Sequence, residues 1–100
     1  MKRILVVEPM PEYARALERY IEMQGCIVDT AYSGESALLK LQDRRYSAVF
    51  TRANLFAEID GIDVAETAKR HGARAFFHSF RKSLEDNVNP MERFNYCKIE

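Results

Sequence analysis

The chain has 100 residues, of which 47% are hydrophobic and 30% charged, and 15 basic residues balance 15 acidic ones. That length favours one domain with a single core, and the neutral charge balance excludes a general electrostatic preference for nucleic acid or anionic membrane. No apolar run reaches the roughly 20 residues needed to span a bilayer or the length of a signal-peptide core. We therefore predict a cytoplasmic domain that binds neither nucleic acid nor membrane.

The hydrophobic pattern predicts strands and helices in strict alternation. Short apolar runs predict strands at residues 3–7, 26–31, 48–51 and 74–79. Apolar residues at helical spacing predict helices at 12–24, 34–44 and 61–71. Ser33 and Asp60 precede the second and third helices as N-caps, and Ile62 is expected to face inward. This order predicts a parallel sheet with helices on both of its faces.

The pattern weakens after residue 80. Residues 83–88 predict one or two turns of helix that Pro90 would end, and residues 94–99 predict a fifth strand. Too little sequence remains for a fifth helix. We therefore expect an open sheet whose last helix is missing.

Polar residues stand where the predicted strands end. Glu8, Arg52, Ser79 and Lys98 end four separate strands, and Pro9 directly follows Glu8. Ligands of open parallel sheets bind beyond the carboxyl ends of the strands. These side chains are therefore expected to converge on one site.

Several stretches of the chain resemble the receiver domain of response regulators. "KRILVVEPMPEYARALERYIEMQGCIVDTAYSGESALLKL" resembles the first half of that domain, with Glu8, Pro9 and Pro11 where the family has two acidic residues and then a proline. "YSAVFTRANLFAEIDGID" resembles the third strand with its loop, and "ARAFFHS" resembles the fourth strand, with Ser79 at the family's Thr or Ser.

The resemblance covers about residues 2–80 of one receiver-like domain over residues 1–100, of which 81–100 are irregular or divergent. It implies a flavodoxin-like, receiver-type α/β fold with strand order 2-1-3-4-(5) and helices on both faces. It also implies a site for phosphoryl transfer, in which an aspartate ending the third strand accepts the phosphoryl group. Mg²⁺ is held there by that aspartate and the acidic pair.

The chain departs from this family pattern at the positions that carry the chemistry. Arg52 stands at the acceptor position, and an arginine cannot form an acyl phosphate and repels a divalent cation. Pro9 replaces the second acidic ligand. We therefore interpret Glu8, Pro9, Arg52, Ser79 and Lys98 as a degenerate phosphorylation pocket, with no catalytic residue, no metal-ligand set and Mg²⁺ binding lost.

Two arrangements of the remaining charges stay open. Glu8 and Arg52 either form an internal ion pair that holds the domain in one state without phosphate, or both point into solvent. His78, beside aromatic residues, is interpreted as a structural histidine, and Ser79 as a packing or capping residue.

The resemblance and its departures together favour a pseudo-receiver that acts in two-component signalling or a phosphorelay by protein–protein interaction and is not an enzyme. The expected partner is a histidine kinase, a regulator or a second copy of the chain. The pair Leu55-Phe56 in the long loop either anchors that partner or folds back onto the domain. The alternatives are a receiver gated by phosphorylation or small-anion binding at an unconventional site, and an enzyme or small-ligand binder that uses this pocket.

Overall fold

The computed structural model describes residues 1–80 and 94–99, which form a five-stranded sheet with helices on both faces. The strands are β1 (Arg3–Val7), β2 (Ile27–Ala31), β3 (Ala48–Arg52), β4 (Arg74–Phe80) and β5 (Phe94–Ile99). The helices are α1 (Pro11–Met23), α2 (Gly34–Asp43) and α3 (Gly61–Arg70). Each lies close to its predicted position. The helix predicted near residues 83–88 and the break at Pro90 fall outside the described residues.

The strand order is β2-β1-β3-β4-β5, and β1 to β4 run parallel. This arrangement confirms the predicted flavodoxin-like fold. The last strand differs from the expected parallel arrangement, because β5 pairs antiparallel to β4. Phe94 lies opposite Phe80, so β5 begins at the end of the sheet where β4 stops. A chain that returns along the same edge needs no crossover and therefore pairs antiparallel.

The core is divided by the sheet into two layers. One layer packs α2 and α3 against one face of the sheet, with Leu5, Val49 and Val64 fully buried. The other layer packs α1 against the opposite face through Leu17 and Ile21. Because helices cover β1 on both sides, its residues Ile4–Val7 are all apolar and buried.

The predicted caps of the second and third helices are confirmed. The Ser33 hydroxyl accepts a hydrogen bond from the Ser36 amide at 3.1 Å, and Asp60 and Asp63 form a capping box at the start of α3. The prediction that Ile62 faces inward is wrong, since its side chain is 53% exposed. The buried stripe of α3 instead begins at Gly61 and continues through Val64.

Gly61 brings the start of α3 against the end of β3. Its amide donates to the Ala53 carbonyl at 3.0 Å, and a Cβ placed on Gly61 would overlap the carbonyl oxygen of Arg52. Any side chain here would push the two elements apart. The glycine therefore fixes the backbone at the strand end where the polar residues were predicted.

Candidate functional site

The candidate site lies at the carboxyl ends of β1, β3 and β4, on the face that packs against α1. Val7 lies opposite Thr51, and Arg52 lies opposite His78. Glu8 follows Val7 and extends β1 by one residue, donating its amide to the Ala31 carbonyl at 3.0 Å. Because side chains alternate between sheet faces, Glu8, Arg52 and His78 form one row across three strands.

Glu8 is the buried acid of this row. Its side chain is fully buried, one carboxylate oxygen accepts the Met10 amide at 2.7 Å, and the other lies 3.4 Å from Nη1 of Arg52. Burial raises the pKa of Glu8, and the Met10 amide and the Arg52 charge offset that rise only in part. The carboxylate therefore depends on both partners to stay ionised.

Arg52 is the counter-ion of Glu8 and is 26% exposed in its side chain. Of the two arrangements that the sequence left open, the ion pair is the one present, and its acidic partner is buried. The guanidinium carbon also lies 5.7 Å from the centre of the Phe56 ring, within the range of a cation–π contact. Arg52 consequently bridges the buried carboxylate and an exposed aromatic residue.

Phe56 is 72% exposed and has a φ of 59°, the left-handed region that glycine favours. Its amide is held by the Asn54 side chain at 2.8 Å. A large side chain in this conformation costs free energy. The loop nonetheless holds an aromatic ring in solvent at the edge of the site.

Leu55 does not share this exposure. It is 5% exposed and belongs to the core cluster that includes Val7 and Val64, and its amide donates to the Asp60 carboxylate at 2.9 Å. Of the two alternatives left open for this pair, Leu55 folds back onto the domain and Phe56 stays exposed. The loop folds back because Asp60, which caps α3, also holds the Leu55 backbone.

His78 completes the row beside Arg52 and is 3% exposed. Its Nε2 lies 3.1 Å from the Val7 carbonyl oxygen, so Nε2 carries the proton and donates. Desolvation, assisted by the nearby Arg52 charge, lowers the pKa of His78 to about 4. A neutral histidine that ties β4 to β1 fits the predicted structural role.

Three other residues were predicted to belong to the site. Ser79 and Lys98 lie away from the row of Glu8, Arg52 and His78, and Pro9 adds no charge to it. Ser79 is exposed, and strand alternation puts it on the sheet face opposite to His78. Lys98 is exposed and lies opposite Phe76 of β4. Phe76 is two residues before His78, so Lys98 lies away from the carboxyl end of β4 where the site is. The reversal of β5 explains this placement. Pro9 is half-buried between Glu8 and Met10 and contributes no carboxylate.

The site therefore combines one buried carboxylate, one guanidinium and one neutral imidazole. Within residues 1–80 and 94–99, no three His, Cys, Asp or Glu side chains are grouped so that they could hold a metal ion. The structure brings Glu8 and Arg52 together and places His78 beside them, a neighbour that the sequence analysis did not name. The sequence did contain a signal for this position of His78. Residues two apart on a strand share a face, so His78 was expected on the same face of the sheet as Phe76.

The fold is flavodoxin-like, and the solved structures that it resembles include receiver domains of response regulators. TrrA of Thermotoga maritima, in complex with Mg²⁺–BeF, is 34% identical with a TM-score of 0.67, over 75% of this chain and 66% of its own. A chain in the crystal structure of histidine kinase ThkA in complex with TrrA matches at 29% identity and TM-score 0.70, over 87% of this chain and 77% of the matched one.

A more distant match is the N-terminal domain of a three-domain response regulator of Carboxydothermus hydrogenoformans. It has 22% identity and a TM-score of 0.71, over 88% of this chain and 70% of that domain. The chain spans 66% to 77% of these three structures and 52% of a further matching one. No protein-family model and no curated protein matches the sequence. None of the described helices is long and apolar enough to cross a membrane.

Proposed function

We propose that this protein is a non-phosphorylatable pseudo-receiver, not an enzyme, that acts in two-component signalling through protein contacts. The observation that carries this proposal is the ion pair between Arg52 and the buried Glu8, 3.4 Å apart at the carboxyl ends of β1 and β3. Arg52 stands where the resemblance to receivers calls for the acceptor aspartate. A guanidinium has no oxygen to receive a phosphoryl group.

The charges of the site also oppose the metal that phosphoryl transfer requires. Mg²⁺ needs several oxygen ligands in octahedral geometry, and the row offers one carboxylate, which Arg52 and the Met10 amide already engage. The Arg52 guanidinium carries a permanent positive charge at the carboxyl ends of β1 and β3. We propose that it substitutes for the cation and holds the strand ends in one state.

The first test uses beryllofluoride with Mg²⁺, the combination bound in the TrrA structure. We expect no binding by the wild-type protein and none by Arg52→Asp, because Pro9 still leaves the site without a second acidic ligand. Isothermal titration calorimetry measures both, with TrrA as the positive control. Stoichiometric binding by the wild type or by Arg52→Asp would contradict this prediction.

A double variant is the matched control for that titration. Pro9→Asp/Arg52→Asp supplies three carboxylates at the strand ends, as receivers do, and is expected to gain affinity for Mg²⁺–BeF. If the double variant binds and the single variant does not, the loss depends on both positions. Binding by the single variant alone would mean that Pro9 is irrelevant.

Protein contact is the second half of the proposal, and Phe56 is its proposed anchor. An aromatic ring that is 72% exposed, in a conformation with φ of 59°, is retained at a cost in stability. Large aromatic residues dominate the binding energy of protein interfaces. The ThkA–TrrA complex makes a histidine kinase the first candidate partner.

Replacing Phe56 by alanine is expected to weaken partner binding by about thirtyfold, the effect of losing an aromatic anchor worth about 2 kcal/mol. Ile62→Ala is the matched control, because Ile62 is also large, apolar and exposed but lies on α3. Immobilised wild type and both variants would be compared by quantitative mass spectrometry of the proteins retained from source cells. Equal retention by wild type and Phe56→Ala would exclude Phe56 as the anchor.

A further inference from the structure

The face of the sheet that packs against α1 carries an open apolar groove. It has a volume of about 470 Å³ and lies between α1 and the strands β1, β3 and β4. Its floor consists of two rows of side chains, Ile4 with Ala48 and Phe50 with Phe76, and the two phenylalanine rings stack with centroids 4.6 Å apart. Leu17 and Tyr20 of α1 form one wall.

The described helices are distributed unevenly over the two faces. On the opposite face, α3 packs across β3 and β4, and α2 lies beside it. On the groove face, α1 packs mainly on β1 and β2. The strip over β3 and β4 therefore lacks, among the described helices, the counterpart of α3, although Phe50 and Phe76 offer it an apolar floor.

The groove suits a helix better than an extended peptide. The strands β1, β3 and β4 each have hydrogen-bonded neighbours on both sides, so an incoming strand finds no free edge. A helix satisfies its own backbone hydrogen bonds and needs only a place for its apolar stripe. The apolar floor of the groove and the wall formed by α1 can bury that stripe.

The charges at the rim indicate which helix would bind. Among the residues that the structure describes, Lys2 and Arg74, at the starts of β1 and β4, are the charged residues that line the groove, and none of the described lining residues is acidic. Lys98 lies opposite Phe76 in the register of β4 and β5, on the same face of the sheet. A helix that presents carboxylates at this end is complementary to the groove.

A second copy of the chain is a poor donor of such a helix. The apolar stripes of α1, α2 and α3 are already buried against their own sheet, and α2 and α3 each expose one large apolar residue, Leu39 and Ile62. Two grooves that faced each other with their strands parallel would also bring Lys2 and Arg74 of both copies together. We propose that the groove binds an amphipathic helix of a partner protein, with an apolar stripe and acidic residues at one end.

The test uses a synthetic peptide helix with leucines at i, i+3, i+4 and i+7 and glutamates in its last turn. We expect the full chain to bind it and to shift the amide resonances of Ala48, Phe50 and Phe76 in NMR spectra. Reversing the rim charges with Lys2→Glu/Arg74→Glu should weaken binding about tenfold, through the loss of two exposed ion pairs. The same variant should prefer a peptide that carries lysines in place of the glutamates.

The matched control is Arg45→Glu/Arg70→Glu, which makes the same charge change on the layer of α2 and α3 and should leave binding unchanged. A scrambled peptide that binds equally well would overturn the proposal, as would equal effects of the two double variants. Two other occupants are distinguished in the same samples. Self-association that protects Phe50 and Phe76 would assign the groove to a second copy, and nuclear Overhauser contacts from residues 81–93 would assign it to the chain itself.

Discussion

Replacing Arg52 by alanine is expected to lower the free energy of unfolding by about 3 kcal/mol at pH 7, the lower end of the range for breaking a buried ion pair. Glu8 is fully buried and loses the guanidinium 3.4 Å away, while the Met10 amide alone remains to hold its charge. The carboxylate then either stays ionised at a cost or takes up a proton. Urea unfolding monitored by circular dichroism measures the loss.

The double variant Glu8→Gln/Arg52→Ala separates the ion pair from the bulk of the arginine. Glutamine keeps the acceptor for the Met10 amide but carries no charge, so the double variant should recover at least half of the loss. The penalty of Arg52→Ala should also shrink as pH falls below the raised pKa of Glu8, because the carboxyl group is then neutral. Equal losses in the single and double variants at every pH would refute a locking role for this pair.

Replacing His78 by leucine is expected to make the protein more resistant to acid. The pKa of His78 is lowered to about 4, from 6.5. Below pH 6.5 the unfolded chain binds a proton at this residue, whereas the folded chain does not bind it until about pH 4. Stability therefore falls as pH is lowered through this window, by about 2 kcal/mol between pH 7 and pH 4.5.

The variant isolates this effect from Glu8, whose raised pKa acts in the opposite direction, since its ionisation above pH 4.5 disfavours the folded state. At pH 7, His78→Leu loses the hydrogen bond to the Val7 carbonyl and should be about 1 kcal/mol less stable than wild type. At pH 4.5 the order should reverse. Urea midpoints that change in parallel with pH for wild type and His78→Leu would show that His78 does not titrate as described.

The succession of strands and helices followed from the sequence because its signals were local, whereas the strand order was implied by the resemblance to receiver domains. The all-apolar β1, the caps Ser33 and Asp60 and the helical spacing in α1 each depend on neighbouring residues. Glu8 and Arg52 were placed correctly for the same reason. Both end apolar strands, and parallel strands end at a common edge.

The errors arose where contacts between distant residues decide the outcome. The direction of β5 depends on how the chain returns from Phe80, which moved Lys98 away from the predicted site. The burial of Leu55, which the sequence left open, depends on the Asp60 carboxylate, which was recognised as a cap but not as the anchor of the loop. The place of His78 beside Arg52 depends on the register of β4, which a single strand does not reveal.

Intact-mass spectrometry shows whether the ion pair between Glu8 and Arg52 replaces phosphoryl chemistry at these strand ends. Wild-type protein would be incubated with acetyl phosphate and Mg²⁺ beside Pro9→Asp/Arg52→Asp and TrrA. The ion pair between Glu8 and Arg52 predicts an unmodified wild-type mass under conditions that phosphorylate TrrA. A stoichiometric phosphoryl adduct on the wild-type chain would contradict the account.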